Sequence, residues 1–111
     1  MKVFLLNSPH SPTGFAFSKT LIKEISSLLD AFPNILTLAD ESSENLIYDN
    51  KEHVHFAGYG NNWNRTVSVF SGSQLLNCVG WKVGYAIGPK ELIRFGGIIY
   101  GTVYYCFNTC G

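Results

Sequence analysis

The spacing of hydrophobic positions predicts a strand, a helix and a second strand in the first third of the chain. Residues 3–6 form a continuous apolar run, which is typical of a strand covered on both faces. After Ser18, a suitable N-cap, apolar residues recur every three or four positions, and this spacing predicts a helix that ends near Pro33. The apolar face of this helix consists of Leu21, Ile22, Ile25, Leu28 and Leu29. Residues 35–39 form the second apolar run, and a right-handed crossover makes the two strands parallel neighbours.

Two more strand-like runs follow, at residues 66–70 and 82–87. The segment between them is rich in glycine and in small polar side chains, and it ends at Lys82. Free backbone N–H groups, hydroxyls and a lysine are the groups that bind phosphate. The alternative interpretation is a plain strand–loop–strand with a lysine on the surface.

Three polar segments come directly after predicted strands, at residues 7–14, 40–43 and 71–74. In open sheets of this type, ligands bind in the crevice at the carboxyl ends of the strands. We therefore expect the three segments to meet at one edge, where the carboxylate of Asp40 could pair with a cationic ring nitrogen. The alternative is that these residues are caps and loops that close each turn.

Composition narrows the function classes. The chain has 111 residues, enough for one small domain, with 46% hydrophobic and 14% charged residues, which is typical of a globular protein. The formal net charge is zero and no basic stripe occurs, so nucleic-acid binding is not expected. Neither a signal peptide nor a membrane-spanning segment is evident. The three cysteines show no disulfide pattern, which is typical of a reducing compartment. We therefore expect an intracellular, cytoplasmic protein with no membrane partner.

Histidines and cysteines offer two weak metal patterns. His53 and His55 form an H-x-H, but the sequence places no third ligand beside them, so we expect a surface loop and no metal site. Cys106 and Cys110 also lack further ligands at suitable spacing, and ordinary buried thiols are expected there.

Several ordered motifs resemble one enzyme family. Residues 71–89, SGSQLLNCVGWKVGYAIGP, resemble the S-x-x-K…G-W-(R/K)-x-G segment of the class I/II aminotransferases, which have fold type I and use pyridoxal phosphate. Residues 7–14 resemble the N-x-P-x-N-P-T-G loop of that family, and residues 40–49 resemble its D-E-x-Y-x-x-L-x-Y-D run. The subgroup that looks most similar is the kynurenine–oxoglutarate transaminases, also called cysteine-S-conjugate β-lyases.

The resemblance assigns cofactor contacts to individual residues. Asp40 falls on the aspartate that pairs with the pyridine nitrogen of the cofactor. Ser71 and Lys82 fall on residues that contact its phosphate.

Three positions depart from the pattern of the family. Ser11 replaces the asparagine and Ser43 the tyrosine that contact the phenolic oxygen of the cofactor, so both contacts are shortened or lost. Gln74 occupies the position of the lysine whose amine forms a Schiff base with the cofactor. No residue is therefore assigned as catalytic, and any binding of pyridoxal phosphate would be non-covalent.

The resemblance implies an α/β fold: part of an aminotransferase large domain, in residues 1–94. Its mixed, mostly parallel sheet should have about four strands with flanking helices, the last strand being antiparallel. Residues 95–111 form an apolar tail whose structure the sequence leaves open. The implied function is a truncated, inactive transaminase of the kynurenine/glutamine type, whose family acts on amino acids and 2-oxo acids. The alternatives are a pseudoenzyme that binds pyridoxal phosphate or pairs with a longer relative, and an active transaminase. Exposed sheet edges would favour self-association or a homodimer.

Overall fold

Four strands form a single mixed sheet in the computed structural model, which describes residues 2–94. The strands are β1 (Lys2–Asn7), β2 (Ile35–Asp40), β3 (Thr66–Phe70) and β4 (Tyr85–Ile87), and they lie side by side in that order. The first three are parallel, and β4 runs antiparallel to β3. The predicted α/β fold with a mixed, mostly parallel four-stranded sheet is confirmed. The predicted tail, residues 95–111 with Cys106 and Cys110, lies outside the described residues.

Helix α1 (Lys19–Asp30) makes the crossover from β1 to β2. Its start is fixed by Ser18, whose hydroxyl oxygen accepts a hydrogen bond from the backbone N–H of Leu21 at 3.2 Å, as the sequence predicts. The helix ends at Asp30, with Ala31 as its C-cap, two residues before Pro33. The other helical pieces include α2 (Gly72–Leu75) and the 3₁₀ turns Phe56–Gly58, Asn62–Arg65 and Val79–Trp81, and residues 90–94 are helical as well.

One face of the sheet carries the hydrophobic core. The core is a cluster of four buried side chains, from β1, α1 and the first 3₁₀ turn: Leu6, Ile22, Leu29 and Phe56. Ile22 is only 1% exposed, because it lies on the side of α1 that packs on the sheet. Leu28 is 65% exposed, so the predicted apolar face of α1 is wider than the surface that the described residues cover.

The opposite face of the sheet is apolar but open. Side chains alternate along each strand, and the register pairs Val3 with Leu36 and Leu5 with Leu38 on this face. Val3 is 59% exposed and Leu5 is 64% exposed. The expectation that residues 3–6 are covered on both faces is therefore wrong for the part of the chain that the structure describes. Asp40 lies on this same open face, two residues beyond Leu38 along β2.

Strand β4 begins later than the sequence predicts, at Tyr85 instead of Lys82. Lys82 has a left-handed backbone with φ of 54°, which does not continue a strand, and the backbone of Val83 bonds to Ser73 instead of to β3. From Tyr85 onward the two strands lie close together, and the Phe70 and Tyr85 rings stack with centroids 4.9 Å apart. Within residues 2–94, the helices are all too short or too polar to cross a membrane.

Candidate cofactor site and a histidine–glutamate cluster

The carboxyl ends of the three parallel strands meet at one edge of the sheet. Asn7, the last residue of β1, pairs with Asp40, the last residue of β2, and its side-chain amide donates a hydrogen bond to the Asp40 carbonyl at 3.1 Å. The next residue, Glu41, donates its backbone N–H to the carbonyl of Val69 in β3 at 3.0 Å. The segments predicted to share an edge therefore start there.

A cavity of about 330 Å³ opens beyond the end of β3. Its lining comes from the last residue of β3, from α2 and from the loop that leads into β4: Phe70, Ser71, Ser73, Gln74, Val79, Lys82, Val83 and Gly84. Three of the residues singled out from the sequence, Ser71, Gln74 and Lys82, thus lie around one cavity. Its volume falls at the lower end of the range of about 300–1,000 Å³ that is usual for small-molecule pockets.

Ser71 lies at the N-terminus of α2. Its hydroxyl oxygen accepts a hydrogen bond from the backbone N–H of Gln74 at 3.1 Å, which makes Ser71 the N-cap of this short helix. A hydroxyl can accept and donate at the same time, so its proton remains available to an acceptor in the cavity. Gln74 is exposed, and it lines the same cavity as Ser71.

Ser73 joins the two walls of the cavity. Its hydroxyl accepts a hydrogen bond from the Val83 N–H at 2.8 Å and donates one to the Val83 carbonyl at 3.0 Å. The backbone N–H of Ser73 also donates to that carbonyl, at 2.9 Å. Because Ser73 is buried, this clamp holds the loop before β4 against α2.

Lys82 stands at the end of that loop in a left-handed conformation, with φ of 54° and ψ of 39°. Few residues other than glycine, asparagine and aspartate adopt this region, and a local strain of this kind persists only where neighbouring structure holds it. Here the backbone N–H of Lys82 donates to the Val79 carbonyl at 3.3 Å, and the Ser73 clamp holds the next residue, Val83. The side chain of Lys82 is exposed at the cavity.

The other predicted cofactor contacts lie elsewhere along the same edge. Asp40 is half-buried, and its carboxylate accepts a hydrogen bond from the Ser42 N–H at 3.1 Å. Ser11 is exposed, and its backbone N–H donates to the Asn7 side chain at 3.1 Å. Ser43 is half-buried in the turn after β2. None of Asp40, Ser11 and Ser43 is among the residues that line the described cavity.

This arrangement fits one end of a phosphorylated cofactor. The cavity offers a hydroxyl from Ser71 and a cation from Lys82, which are the groups that recognise a phosphate. Gln74 offers an amide, which does not form the covalent bond that an amine forms with a carbonyl group. The residues present therefore fit the phosphate and do not provide for a covalent bond at position 74.

A second group of polar side chains gathers at the same strand ends, on the face that carries the core. Glu41 is 2% exposed, and its Oε2 lies 3.3 Å from Nε2 of His53 and in hydrogen-bond contact with Nδ1 of His55. The side chain of His53 is also largely buried, whereas that of His55 is about half exposed. The other carboxylate oxygen, Oε1, accepts a hydrogen bond from the Ser68 hydroxyl at 3.2 Å.

The environment of Glu41 has opposing effects on its carboxyl group. Burial raises the pKa of the Glu41 carboxyl, but hydrogen bonds from His53 and His55 and the positive charge of these rings outweigh burial, so the net pKa lies below its ordinary value. Glu41 is therefore a carboxylate at neutral pH, buried and held by two imidazoles.

Only two of the three members of this cluster are evident from the sequence. The H-x-H spacing places two imidazoles on one side of an extended segment, but the third member is twelve residues earlier than His53. The available signal was the position of Glu41, because a polar residue that ends a parallel strand reaches whatever loop crosses the same edge. His53 was expected in a surface loop, and the structure instead buries most of its side chain against Glu41.

Comparison with known proteins identifies the family signature over nearly the whole chain. The sequence profile described as "Aminotransferase class I and II" matches residues 1–110. Among curated relatives, the probable N-succinyldiaminopimelate aminotransferase DapC of Mycobacterium tuberculosis is 38% identical over 92 residues, which are 83% of this chain and 23% of that protein. The kynurenine–oxoglutarate transaminase of Dictyostelium discoideum is 37% identical over 93 residues, which are 83% of this chain and 21% of that protein.

The chain also superposes on solved structures of aminotransferases. The aspartate aminotransferase of Rhizobium meliloti superposes with a TM-score of 0.87 at 32% identity, over 95% of this chain and 26% of that one. The N-succinyldiaminopimelate aminotransferase of Mycobacterium tuberculosis superposes with a TM-score of 0.79 at 38% identity, over 84% of this chain and 24% of that one. The predicted resemblance to kynurenine–oxoglutarate transaminases is confirmed, alongside a similar identity to DapC. The chain spans about a quarter of the length of the relatives that it matches.

Proposed function

Because the chain belongs to the class I and II aminotransferase family, we propose that it is a non-catalytic part of a pyridoxal phosphate-dependent large domain that binds the cofactor without a covalent bond. The observation that carries this proposal is that Ser71, Gln74 and Lys82 line one cavity. By the resemblance, Ser71 and Lys82 would keep the phosphate contacts of the family, and Gln74 would put an amide where the family has an amine.

The side chain of Gln74 is the reason for proposing the loss of catalysis. When bound, pyridoxal phosphate supplies an electron sink for carbanion chemistry, and its attachment in this family depends on a lysine amine. The amide nitrogen of Gln74 has no free electron pair for nucleophilic attack on a carbonyl carbon. Lys82 lines the same cavity, but the resemblance gives it a phosphate contact, and its left-handed backbone sets where its side chain leaves the loop.

Phosphate binding is proposed to rest on two side chains. Ser71 can donate its hydroxyl proton to a phosphate oxygen while its oxygen continues to cap α2. Lys82 adds a positive charge, and its exposure in an open cavity makes that contribution sensitive to salt. Asp40 is proposed to contribute only in a longer protein, since it is not among the residues that line the described cavity.

The open face of the sheet favours the view that a larger structure normally covers these strands. In α/β proteins, parallel strands are buried on both faces, yet Val3 and Leu5 are mostly exposed here. A second candidate role follows from this observation, namely pairing with a longer relative that supplies the missing cover. Transamination of amino acids and 2-oxo acids would then be a property of the complete assembly.

Cofactor binding is tested by titrating pyridoxal phosphate into the full chain and into variants. We expect Lys82→Gln to weaken binding about tenfold, because a charged hydrogen bond contributes about 1.5 kcal/mol and tenfold corresponds to about 1.4 kcal/mol. Lys90→Gln is the matched control, since Lys90 is also exposed but does not line the cavity. Equal affinity in both variants would contradict phosphate recognition by Lys82.

The role of position 74 is tested by borohydride reduction followed by peptide mass spectrometry. We expect no cofactor adduct at position 74 in the natural chain, and an adduct at that position in Gln74→Lys. Neither protein should transaminate, because the chain matches only 23% of the length of the DapC relative. Turnover by the natural chain would refute the proposal that it is non-catalytic.

A further inference from the structure

We propose that Glu41, His53 and His55 form a binding site for a divalent transition-metal ion of the Zn²⁺ type, separate from the cofactor cavity. One ligand atom from each of the three residues lies within 4.8 Å of the other two. Oε2 of Glu41 contacts both Nε2 of His53 and Nδ1 of His55. Two imidazoles and one carboxylate are a donor set that proteins use for zinc with one coordination position left open.

Local structure explains why the three side chains converge. His53 and His55 are separated by one residue in an extended segment, with φ of −69° and ψ of 122° at His55, so both rings lie on one side of the chain. Their ring centroids are 4.5 Å apart and their planes are perpendicular. One nitrogen of each ring faces Glu41. Glu41 reaches them from the end of β2, where its backbone is tied to Val69.

The distances suit a small ion. Zinc bonds to nitrogen and carboxylate oxygen of about 2.0–2.2 Å place neighbouring ligand atoms of a tetrahedron roughly 3.3–3.6 Å apart. Oε2 of Glu41 and Nε2 of His53 are separated by 3.3 Å. The ring of His55 lies closer to Oε2 of Glu41 and has to shift to admit an ion, and this side chain is the most exposed of the three.

Neighbouring residues contact the proposed ligands, as the hydrogen-bond partners of metal ligands do at known metal sites. Ser68 donates its hydroxyl to Oε1 of Glu41 at 3.2 Å, which leaves Oε2 facing the histidines. The carboxylate of Glu44 lies 3.9 Å from Nε2 of His55, on the opposite side of the ring from the nitrogen that faces Glu41. With an ion bound at Nδ1, the proton of the neutral His55 ring would lie on Nε2, the nitrogen nearer to Glu44.

Burial and access also agree with an ion site. A buried carboxylate is unfavourable unless a positive partner compensates it, and Glu41 is almost fully buried. The half-exposed ring of His55 leaves one side open, so an ion can enter and a water molecule can take the fourth position. The site lies on the core face of the sheet, next to Phe70, whose ring centroid is 6.3 Å from that of His55.

The test uses the full chain, freed of metal with a chelator and titrated with Co²⁺, whose visible absorption reports four-coordinate geometry. We expect one Co²⁺ per chain, displaced by Zn²⁺, with affinity at least about tenfold lower in His53→Ala and in His55→Ala. His10→Ala is the matched control, because His10 is exposed and contacts Thr13 outside the cluster.

The half-exposed His55 can be replaced without opening the core, so the His55 variant separates binding from folding, and circular dichroism of each variant checks that the fold is retained. A natural chain that gives no four-coordinate Co²⁺ spectrum would overturn the proposal, and the imidazoles would then serve only as hydrogen-bond partners of Glu41. Undiminished Co²⁺ affinity in the two cluster variants, or an equal loss in His10→Ala, would overturn it as well.

Discussion

Just before β4, the chain approaches β3 closely at residue 84, which has no side chain. A Cβ atom added at Gly84 would lie 2.8 Å from the carbonyl oxygen of Phe70, where ordinary contact begins at 3.4 Å. The carbonyl belongs to the backbone of β3 and cannot rotate away, so Gly84→Ala must push the strands apart by about 0.6 Å. We expect the free energy of unfolding to fall by about 1–3 kcal/mol, the usual effect of overpacking.

The measurement is urea unfolding followed by circular dichroism, with Gly80→Ala as the matched control. A Cβ atom at Gly80 would meet no atom within 4 Å, and Gly80 lies in the 3₁₀ turn of the same loop. Gly80→Ala should therefore change the free energy of unfolding by less than about 0.5 kcal/mol. The reasoning also predicts a weaker affinity for pyridoxal phosphate in Gly84→Ala, since Gly84 lines the cavity. Equal stability of the two variants would refute the close pairing of β3 and β4.

Three further predictions test the core, the open face and the cavity wall. Ile22→Ala should lower the free energy of unfolding by about 2–5 kcal/mol because its side chain is buried, whereas Leu28→Ala, at an exposed position, should change it by less than about 0.5 kcal/mol; similar losses would contradict the packing of α1. Leu5→Lys should reduce self-association in sedimentation velocity, because Leu5 is an exposed apolar side chain on edge strand β1. If the natural chain self-associates and the variant has the same sedimentation coefficient, the association does not involve this surface. Ser73→Ala removes the acceptor of the Val83 N–H and should lower the melting temperature in calorimetry by an amount equivalent to about 1 kcal/mol, while no change would show that the clamp is replaced by water.

Local signals in the sequence predicted most of the fold. Ser18 and the three-to-four-residue apolar spacing after it gave α1, and the apolar runs gave the strands and their parallel order. The start of β4 was missed, because a lysine in an apolar run does not reveal a left-handed backbone. The exposure of Leu28 and Leu5 was missed for another reason: the apolar pattern shows which side chains suit burial, but not whether this length of chain supplies the cover.

The candidate site was predictable in part. Residues 71–82 are close in sequence, so the approach of Ser71, Gln74 and Lys82 around one cavity follows from a short helix and a tight turn. The place of Asp40 relative to that cavity depends on packing between distant segments, and so does the contact of Glu41 with His53. Spacing alone does not reveal such long-range contacts, and the third ligand of the cluster was missed for this reason.

An amide-resolved NMR spectrum of the full chain, recorded before and after addition of pyridoxal phosphate, tests the central claim most directly. The account predicts a dispersed spectrum in which the cofactor moves the amide signals of Ser71, Gln74 and Lys82, while borohydride treatment adds no mass at position 74. A spectrum that is collapsed, or one in which the cavity signals stay in place at saturating cofactor, would contradict the claim that this part of an aminotransferase still holds the cofactor.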